Sequence, residues 1–235
     1  KIFHFRGSFL QDYIIDPDYP LVWRLDKKIC GSGSLGDLGA HVIDAARYLV
    51  GEFDRVMGMS KTFVTKRPIV ERMTGLSGKA GEDAPLGDIT VDDATIFMTE
   101  FKNGALGVFE ATRFAAGHKN DMSFEINGDK GSLKFSFERM NELWYMSRED
   151  EEGLQGFRLI QASEGCHNYA ANWWPAGHVL GYENTFAHEF YEFYEAIAND
   201  KPTCPSFEDG VKCCQVLDVV DLSCERRAWV NVDEV

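Results

Sequence analysis

No stretch of this sequence approaches the ~20 consecutive apolar residues that a membrane-spanning helix needs. The opening Lys1-Ile2-Phe3-His4-Phe5-Arg6 alternates as a strand does and lacks the organisation of a signal peptide. Positive charge is scarce: 24 Lys and Arg stand against 38 Asp and Glu, a net charge of −14, which leaves no basic face for nucleic-acid phosphates or an anionic membrane. The six cysteines form neither a C-x-x-C pair nor a zinc-finger spacing. Adjacent Cys213 and Cys214 fall on different sides of a helix and read as packing residues, with reduced thiols in a cytoplasmic protein as the default. His4, His118, His167 and His188 have no partner at ligand spacing, so no metal is expected. Neither a repeat nor a linker interrupts the chain, so residues 1–235 read as one domain. With 44% hydrophobic and 13% aromatic residues, disorder is excluded and a packed core is expected.

Periodicity sets the organisation. Residues 1–10 read as a strand, followed by an irregular stretch to Cys30. Gly31-Ser32-Gly33-Ser34-Leu35-Gly36 then opens a helix that runs to about Gly51, its apolar face made by Leu38, Val42, Ala45, Ala46 and Leu49. From Arg55 the period falls to two. Residues 93–101 and 105–115 flank an Asn103-Gly104 turn, and 122–127 and 132–137 form a second hairpin in which Leu133, Phe135 and Phe137 alternate with Ser132, Lys134 and Ser136. Strands are also expected at 141–147, 157–162 and 229–232, with a polar loop or arm over 66–90. Two helices close the chain. One spans about 184–199 with Phe186, Phe190, Phe193 and Ile197 on one face. The other is capped by Ser206, with Glu208 and Asp209 in its first turn and Val211, Cys214, Leu217 and Val220 directed inward. Consecutive hairpins with helices towards the two ends predict an α+β fold, a large open and mainly antiparallel sheet with helices on one face.

Gly31 to Gly36 spells G-x-G-x-x-G, but the dinucleotide fingerprint must follow a buried parallel strand, and Arg24-Leu25-Asp26-Lys27-Lys28-Ile29-Cys30 is too charged for one. The turn reads instead as a close approach of backbone to a ligand or another domain. Along the helix, Asp37, His41, Asp44 and Tyr48 fall at i, i+4, i+7 and i+11, opposite the apolar stripe. A carboxylate one turn from an imidazole suits a general acid/base near neutral pH; the plainer reading is a solvated face with an ordinary ion pair. Gln11, Asp12, Trp23 and Arg24 could line a cleft, Arg24 meeting a nicotinamide phosphate or a substrate carboxylate, or simply stacking on Trp23. His178 and Tyr182 lie near Tyr169, Trp173 and Trp174, aromatics that suit the apolar face of a sugar or the cover of a sheet.

The stretch from Gly33 to Gly51, with its Asp37-x-x-x-His41, strongly resembles the glycine-rich turn and catalytic helix of the glucose–fructose oxidoreductase / inositol dehydrogenase / MocA (Gfo/Idh/MocA) family. Phe5-Arg6-Gly7, Gln11-Asp12 and Trp23-Arg24 are similar to the family's lead-in, while Gly177-His178, Gly181-Tyr182-Glu183 and Pro205-Ser206-Phe207-Glu208-Asp209-Gly210 are similar to its closing helices. The resemblance implies the C-terminal, substrate-binding and oligomerisation domain of an NAD- or NADP-dependent sugar or polyol oxidoreductase. It implies hydride transfer at a hydroxyl-bearing or keto carbon, with Asp37 and His41 catalytic. It also implies a Lys from an E-K-P motif; no such motif occurs here, and the Rossmann domain that carries it is absent. The expected partners are therefore a sugar or polyol, a Rossmann domain in cis or in trans, and further copies of the chain in a homodimer or homotetramer built through the sheet. Two alternatives from other classes are elimination or hydrolysis of glycosides through transient oxidation, and a non-catalytic scaffold or ligand-binding module. Retention of both Asp37 and His41 favours the enzyme.

Overall fold

The computed structural model describes residues 1–70, 80 and 83–235. Strand β1 (Ile2–Leu10) leads through a short helix α1 (Lys27–Cys30) and one wide turn at Leu35–Gly39 into helix α2 (Ala40–Leu49). There follow β2 (Phe53–Lys61), β3 (Lys66–Pro68), β4 (Leu86–Asp88), β5 (Ala94–Phe101), β6 (Leu106–Thr112), β7 (Asp121–Gly128), β8 (Gly131–Ser136), β9 (Glu142–Ser147) and β10 (Arg158–Gln161). Helices α3 (Tyr182–Ala198) and α4 (Phe207–Arg226) and strand β11 (Val230–Asn231) complete the chain.

Nine strands form one sheet in the order β10-β9-β8-β7-β1-β6-β5-β2-β11, and β3 pairs with β4 as a separate ribbon. The ribbon replaces the ends of the expected 66–90 loop; the middle of that loop lies outside the described residues. Every pairing in the large sheet is antiparallel except β1 with β6, where Phe5 lies opposite Gly107 and Phe9 opposite Ala111. The expected α+β architecture is the observed one. The Asn-Gly hairpin closes with Gly104 at φ +83°, where a side chain would be strained.

The core lies between the central strands and helices α2 and α4. Phe109 stands at its middle, stacked on Phe97 at 4.5 Å between ring centres and on Phe5 at 5.1 Å, with Phe53 at 5.4 Å. Val42, Ile43 and Ala46 of α2 and Val216, Val219 and Val220 of α4 cover these rings. The apolar stripe of α4 is shifted in part from the expected one: Val220 is buried and Leu217 packs half-buried against the core as expected, but Val211 and Cys214 are exposed and Cys213, Val216 and Val219 face inward in their place. Two helical stripes one residue apart both read as apolar, and packing onto β2 selects the one with Ser223, whose hydroxyl donates to Ala228 carbonyl at 2.6 Å and accepts from Gly58 N–H at 3.0 Å.

On β8 the alternation of Leu133 and Phe135 with polar residues does not produce a dry face, since all six residues are half-buried, and Phe137 has already left the strand. The face of α3 bearing Phe186, Phe190, Phe193 and Ile197 forms as expected, yet these residues stay exposed, since no element among the described residues covers them. A second, smaller core of Ile14, Leu25, Ile89 and Val91 sits beside the site, tied by Arg67, whose buried guanidinium donates to the carbonyls of Ile14, Asp16 and Tyr19. Among the described residues no helix is long and apolar enough to cross a membrane.

Candidate active site

The start of α2 is built by a single carboxylate. Asp92 accepts hydrogen bonds from Gly33 N–H at 2.7 Å, Ser34 Oγ at 2.6 Å, Leu35 N–H at 2.8 Å and Thr95 Oγ1 at 2.9 Å, while its own carbonyl accepts from Ser34 N–H. Helix starts leave N–H groups without partners, and an acidic side chain is the strongest acceptor for them. Glycine is required at position 33 because a Cβ there would lie 2.0 Å from the Asp92 carbonyl oxygen. These bonds also decide the fate of the G-x-G-x-x-G pattern. It follows α1 rather than a strand, and the N–H donors of Gly31, Gly33, Ser34 and Leu35 are already taken, so the turn does not fit a pyrophosphate.

With the start fixed, the wide turn and α2 bury Leu38, Val42 and Ala46 of the expected stripe, with Ile43 beside them and Ala45 and Leu49 only half-buried, and leave Asp37, His41, Asp44 and Tyr48 exposed on the opposite side as the spacing predicts. Arg47 ends the helix as a second tether: it is buried, and it donates to both oxygens of Glu52 (3.2 and 2.9 Å) and to the Asp209 carbonyl at 3.0 Å, joining α2 to the first turn of α4. The Arg47 guanidinium beside Glu52 holds that carboxyl below the usual carboxylate range. Cys213, in contact with the Ala40 carbonyl, has its thiol pushed up to about 11 by burial, which suits packing rather than reactivity.

The solvent face of α2 forms one wall of an open groove of about 980 Å³, within the upper range of small-ligand sites. Asp37 and His41 line it together with Gln11 from the end of β1, Asn120, and the aromatic rings of Tyr169, Tyr182 and Phe186. His41 lies edge-on to Phe9 at 5.6 Å between ring centres. No hydrogen bond joins Asp37 to His41. The Asp37 carboxylate instead accepts from Arg113 Nη2 at 2.7 Å. The two side chains one turn apart thus have separate supports, an aromatic edge for His41 and a guanidinium for Asp37.

The remaining candidates divide. Gln11 donates from Nε2 to Asn120 Oδ1 at 3.0 Å, so the two amides act as a linked pair on the groove. Tyr182 opens α3, its ring edge-on to Phe137 and Phe186. Asp12 does not line the groove; it is paired with Lys119 at 2.6 Å and accepts from Gly117 N–H. Lys119 holds its carboxyl below the usual range, and the residue pins the 117–121 loop that carries Asn120. Arg24 stacks over Trp23 at 4.8 Å, and neither lines the groove; Trp23 is 57% exposed. His178 lies beside the Pro175 carbonyl at 2.8 Å, also outside the groove. Tyr169, by contrast, stacks on His188 at 4.2 Å and donates to Glu192, which pushes its hydroxyl up to about 12. Trp173 Nε1 donates to His188 Nε2 at 2.8 Å, behind Tyr169 and outside the groove lining. Among the described residues no cluster of three His, Cys, Asp or Glu side chains could hold a metal ion, and all six cysteines are free.

Asp92, Arg113 and Asn120 escaped the sequence reading. Asp92 and Arg113 act across 58 and 76 positions of sequence, beyond any local period; the only signal was a charged residue at the end of an otherwise apolar strand.

Comparison with known proteins agrees with this architecture. The family model described as the GFO/IDH/MocA C-terminal domain matches residues 1–134. A levoglucosan dehydrogenase from Pseudarthrobacter phenanthrenivorans is 40% identical over 237 residues, covering 100% of this chain and 60% of that protein. A myo-inositol 2-dehydrogenase from Thermotoga maritima is 25% identical over 211 residues, covering 90% and 52%. Among solved structures, an oxidoreductase domain protein from Kribbella flavida superposes with a TM-score of 0.91 at 47% identity, covering 98% of this chain and 59% of that one. A levoglucosan dehydrogenase in complex with NADH and L-sorbose does so with a TM-score of 0.91 at 40% identity, covering 99% and 59%. The chain thus spans about three-fifths of the length of these two structures. A family model that covers more than half of its residues, and a relative 40% identical along its whole length, show that this chain belongs to the GFO/IDH/MocA family.

Proposed function

We propose that residues 1–235 are the substrate-binding and assembly domain of a cytoplasmic NAD- or NADP-dependent sugar or polyol dehydrogenase, and that Asp37 and His41 handle the proton of the reacting hydroxyl. The observation that carries this reading is the convergence of an imidazole, a carboxylate and two amides on one groove walled by aromatic rings. Such a wall suits the apolar face of a sugar, and the polar groups suit its hydroxyls. Proteins 40% identical to this chain are described as levoglucosan dehydrogenase, one of them with NADH and L-sorbose bound.

In this reading a nicotinamide cofactor, held by a Rossmann domain in cis or in trans outside residues 1–235, would supply the hydride acceptor. His41 takes the hydroxyl proton when the alcohol is oxidised and returns it in the reverse direction. Asp37 accepts a hydrogen bond from a substrate hydroxyl and sets the ring's position, while the Gln11–Asn120 pair and Tyr182 complete the sugar contacts. Positioning of this kind removes a large entropic part of the barrier. Asp12, Trp23, Arg24 and His178 stand farther off. Arg24, stacked on Trp23, is the residue among them that would meet a nicotinamide phosphate or a substrate carboxylate.

Two expected outcomes test the reading. Calorimetric titration of residues 1–235 with NADH should show binding weaker than the low micromolar range, because the N–H donors of Gly33 and Leu35 are occupied by Asp92. Low-micromolar affinity would return the glycine turn to a cofactor role. Light scattering at micromolar concentration should show a dimer or tetramer. The outer face of β5 and β6 exposes Ile96, Met98, Leu106 and Val108 beside Met59 of β2, a contiguous apolar patch of the kind a monomer rarely tolerates. Pairing there would bury more than ~1,000 Å² in total. Met98→Glu with Val108→Glu should give monomers, and a wild-type monomer would contradict assembly through the sheet.

A further inference from the structure

We infer that Arg113 is the positioning residue of the site: it grips one oxygen of Asp37 from the buried side so that the other faces the groove. The inference rests on the acid/base reading of Asp37 and His41.

Arg113 follows directly on β6, and its side chain is 1% exposed, against 40% for that of Asp37. Its Nη2 donates to Asp37 Oδ2 at 2.7 Å and to the Gly33 carbonyl at 3.3 Å, so one nitrogen spans the glycine turn and the first acidic residue of the helix. Its Nε and Nη1 are buried with no partner. Asp37 is the one carboxylate that pairs with it among the described residues.

The contrast with Arg67 is informative. That guanidinium, also fully buried, donates to three backbone carbonyls and to no carboxylate, which is how an arginine ties loops together. Both guanidiniums leave buried N–H groups without partners, Nε in Arg67 and Nε and Nη1 in Arg113, but Arg113 alone commits its shortest bond to a half-exposed acid on the groove. A buried ion pair of this kind is weak evidence for stability, because desolvating the cation offsets much of the attraction. A buried donor left without a partner is costly and calls for a reason. Positioning is the role that the Nη2 bonds fit: this nitrogen is tied to the Gly33 carbonyl as well as to Asp37 Oδ2, so the carboxylate is held against the glycine turn and its Oδ1 is left for the groove.

The test uses the complete enzyme with the sugar or polyol it oxidises fastest from a panel that includes levoglucosan. Arg113→Ala should lower kcat by about 10²-fold, the loss expected when a reacting group is misplaced by about an ångström. Added guanidinium should restore at least ~10-fold of that by occupying the vacated space, and methylammonium should restore far less, as the planar fork requires. Neither the loss nor the rescue should appear when Arg113→Ala is introduced into an Asp37→Asn background, where the two changes act as one unit. A merely structural arginine would be rescued equally in both backgrounds, and that result would overturn the inference. Should Arg113→Ala fail to fold, Arg113→Lys carries the same comparison; it keeps the charge but loses the fork, so kcat should fall in the wild-type background and not in Asp37→Asn. If His41→Ala is inactive while Arg113→Ala and Arg113→Lys turn over normally, the inference fails alone. If His41→Ala turns over normally, or no sugar is oxidised, the acid/base reading fails and the inference falls with it.

Discussion

In the complete enzyme, His41→Ala is expected to lower kcat by about 10²–10⁴-fold, the usual effect of removing a positioned acid/base. Folding should be unaffected. The imidazole projects from the exposed side of α2 and touches the core only through the edge of Phe9, so its removal opens no buried cavity. The melting temperature should therefore stay within about 2 °C of wild type. Asp37→Ala is expected to behave differently. It lowers turnover too, but it strands the Arg113 cation, which is 1% exposed. Breaking a fully buried pair costs about 3–5 kcal/mol, and the partial exposure of Asp37 reduces this to about 1–3 kcal/mol. Asp37→Asn keeps an acceptor for Arg113 and separates the two effects, losing activity with less stability. Asp44→Asn, a turn further along, should leave kcat within a few-fold of wild type. Near-normal turnover by His41→Ala, or a loss of activity explained wholly by unfolding, would make the helix structural.

Asp92→Ala should be the most destabilising polar substitution near the site. It removes the acceptor of two backbone N–H groups and two hydroxyls at the start of α2. Charged hydrogen bonds contribute about 1.5–3 kcal/mol each, and water can reach part of this half-buried cluster, so a total of about 3–5 kcal/mol is expected. For a chain of this size that corresponds to a fall in melting temperature of roughly 10 °C. Activity should fall with it, since Gly33 and Leu35 set the direction of the helix that carries Asp37 and His41. Thermal melts with turnover measured well below the transition read both effects. A shift below about 2 °C would mean that the glycine turn holds its shape without Asp92. Asp92→Asn should lie between, retaining one acceptor oxygen.

Local pattern was enough to place β1, α2, the hairpins at Asn103-Gly104 and Gly128–Gly131, and the Ser206 cap, because each depends on residues within one or two turns of one another. The exposed row Asp37-His41-Asp44-Tyr48 was legible for the same reason. What escaped were contacts set by tertiary packing. The parallel pairing of β1 with β6 leaves no local mark, and neither does the reach of Asp92 to Gly33 or of Arg113 to Asp37. Asp12 was a reasonable cleft candidate by position, but Lys119 lies 107 residues away and claims it. The inward stripe of α4 was misplaced in part because Cys213-Cys214 and Val219-Val220 offer apolar groups on both candidate stripes, and only the fit against β2 decides between them. The uncovered aromatic face of α3 shows the limit of periodicity from the other side: spacing states which residues share a face and says nothing of what lies over it.

The most direct test of the central claim is a crystal structure of the complete enzyme with reduced cofactor and a bound sugar. A sugar hydroxyl should lie ~2.6–3.2 Å from an imidazole nitrogen of His41, with a neighbouring hydroxyl on Asp37 and the ring against Tyr182 or Phe186. A sugar bound elsewhere, with His41 and Asp37 facing only water, would contradict it.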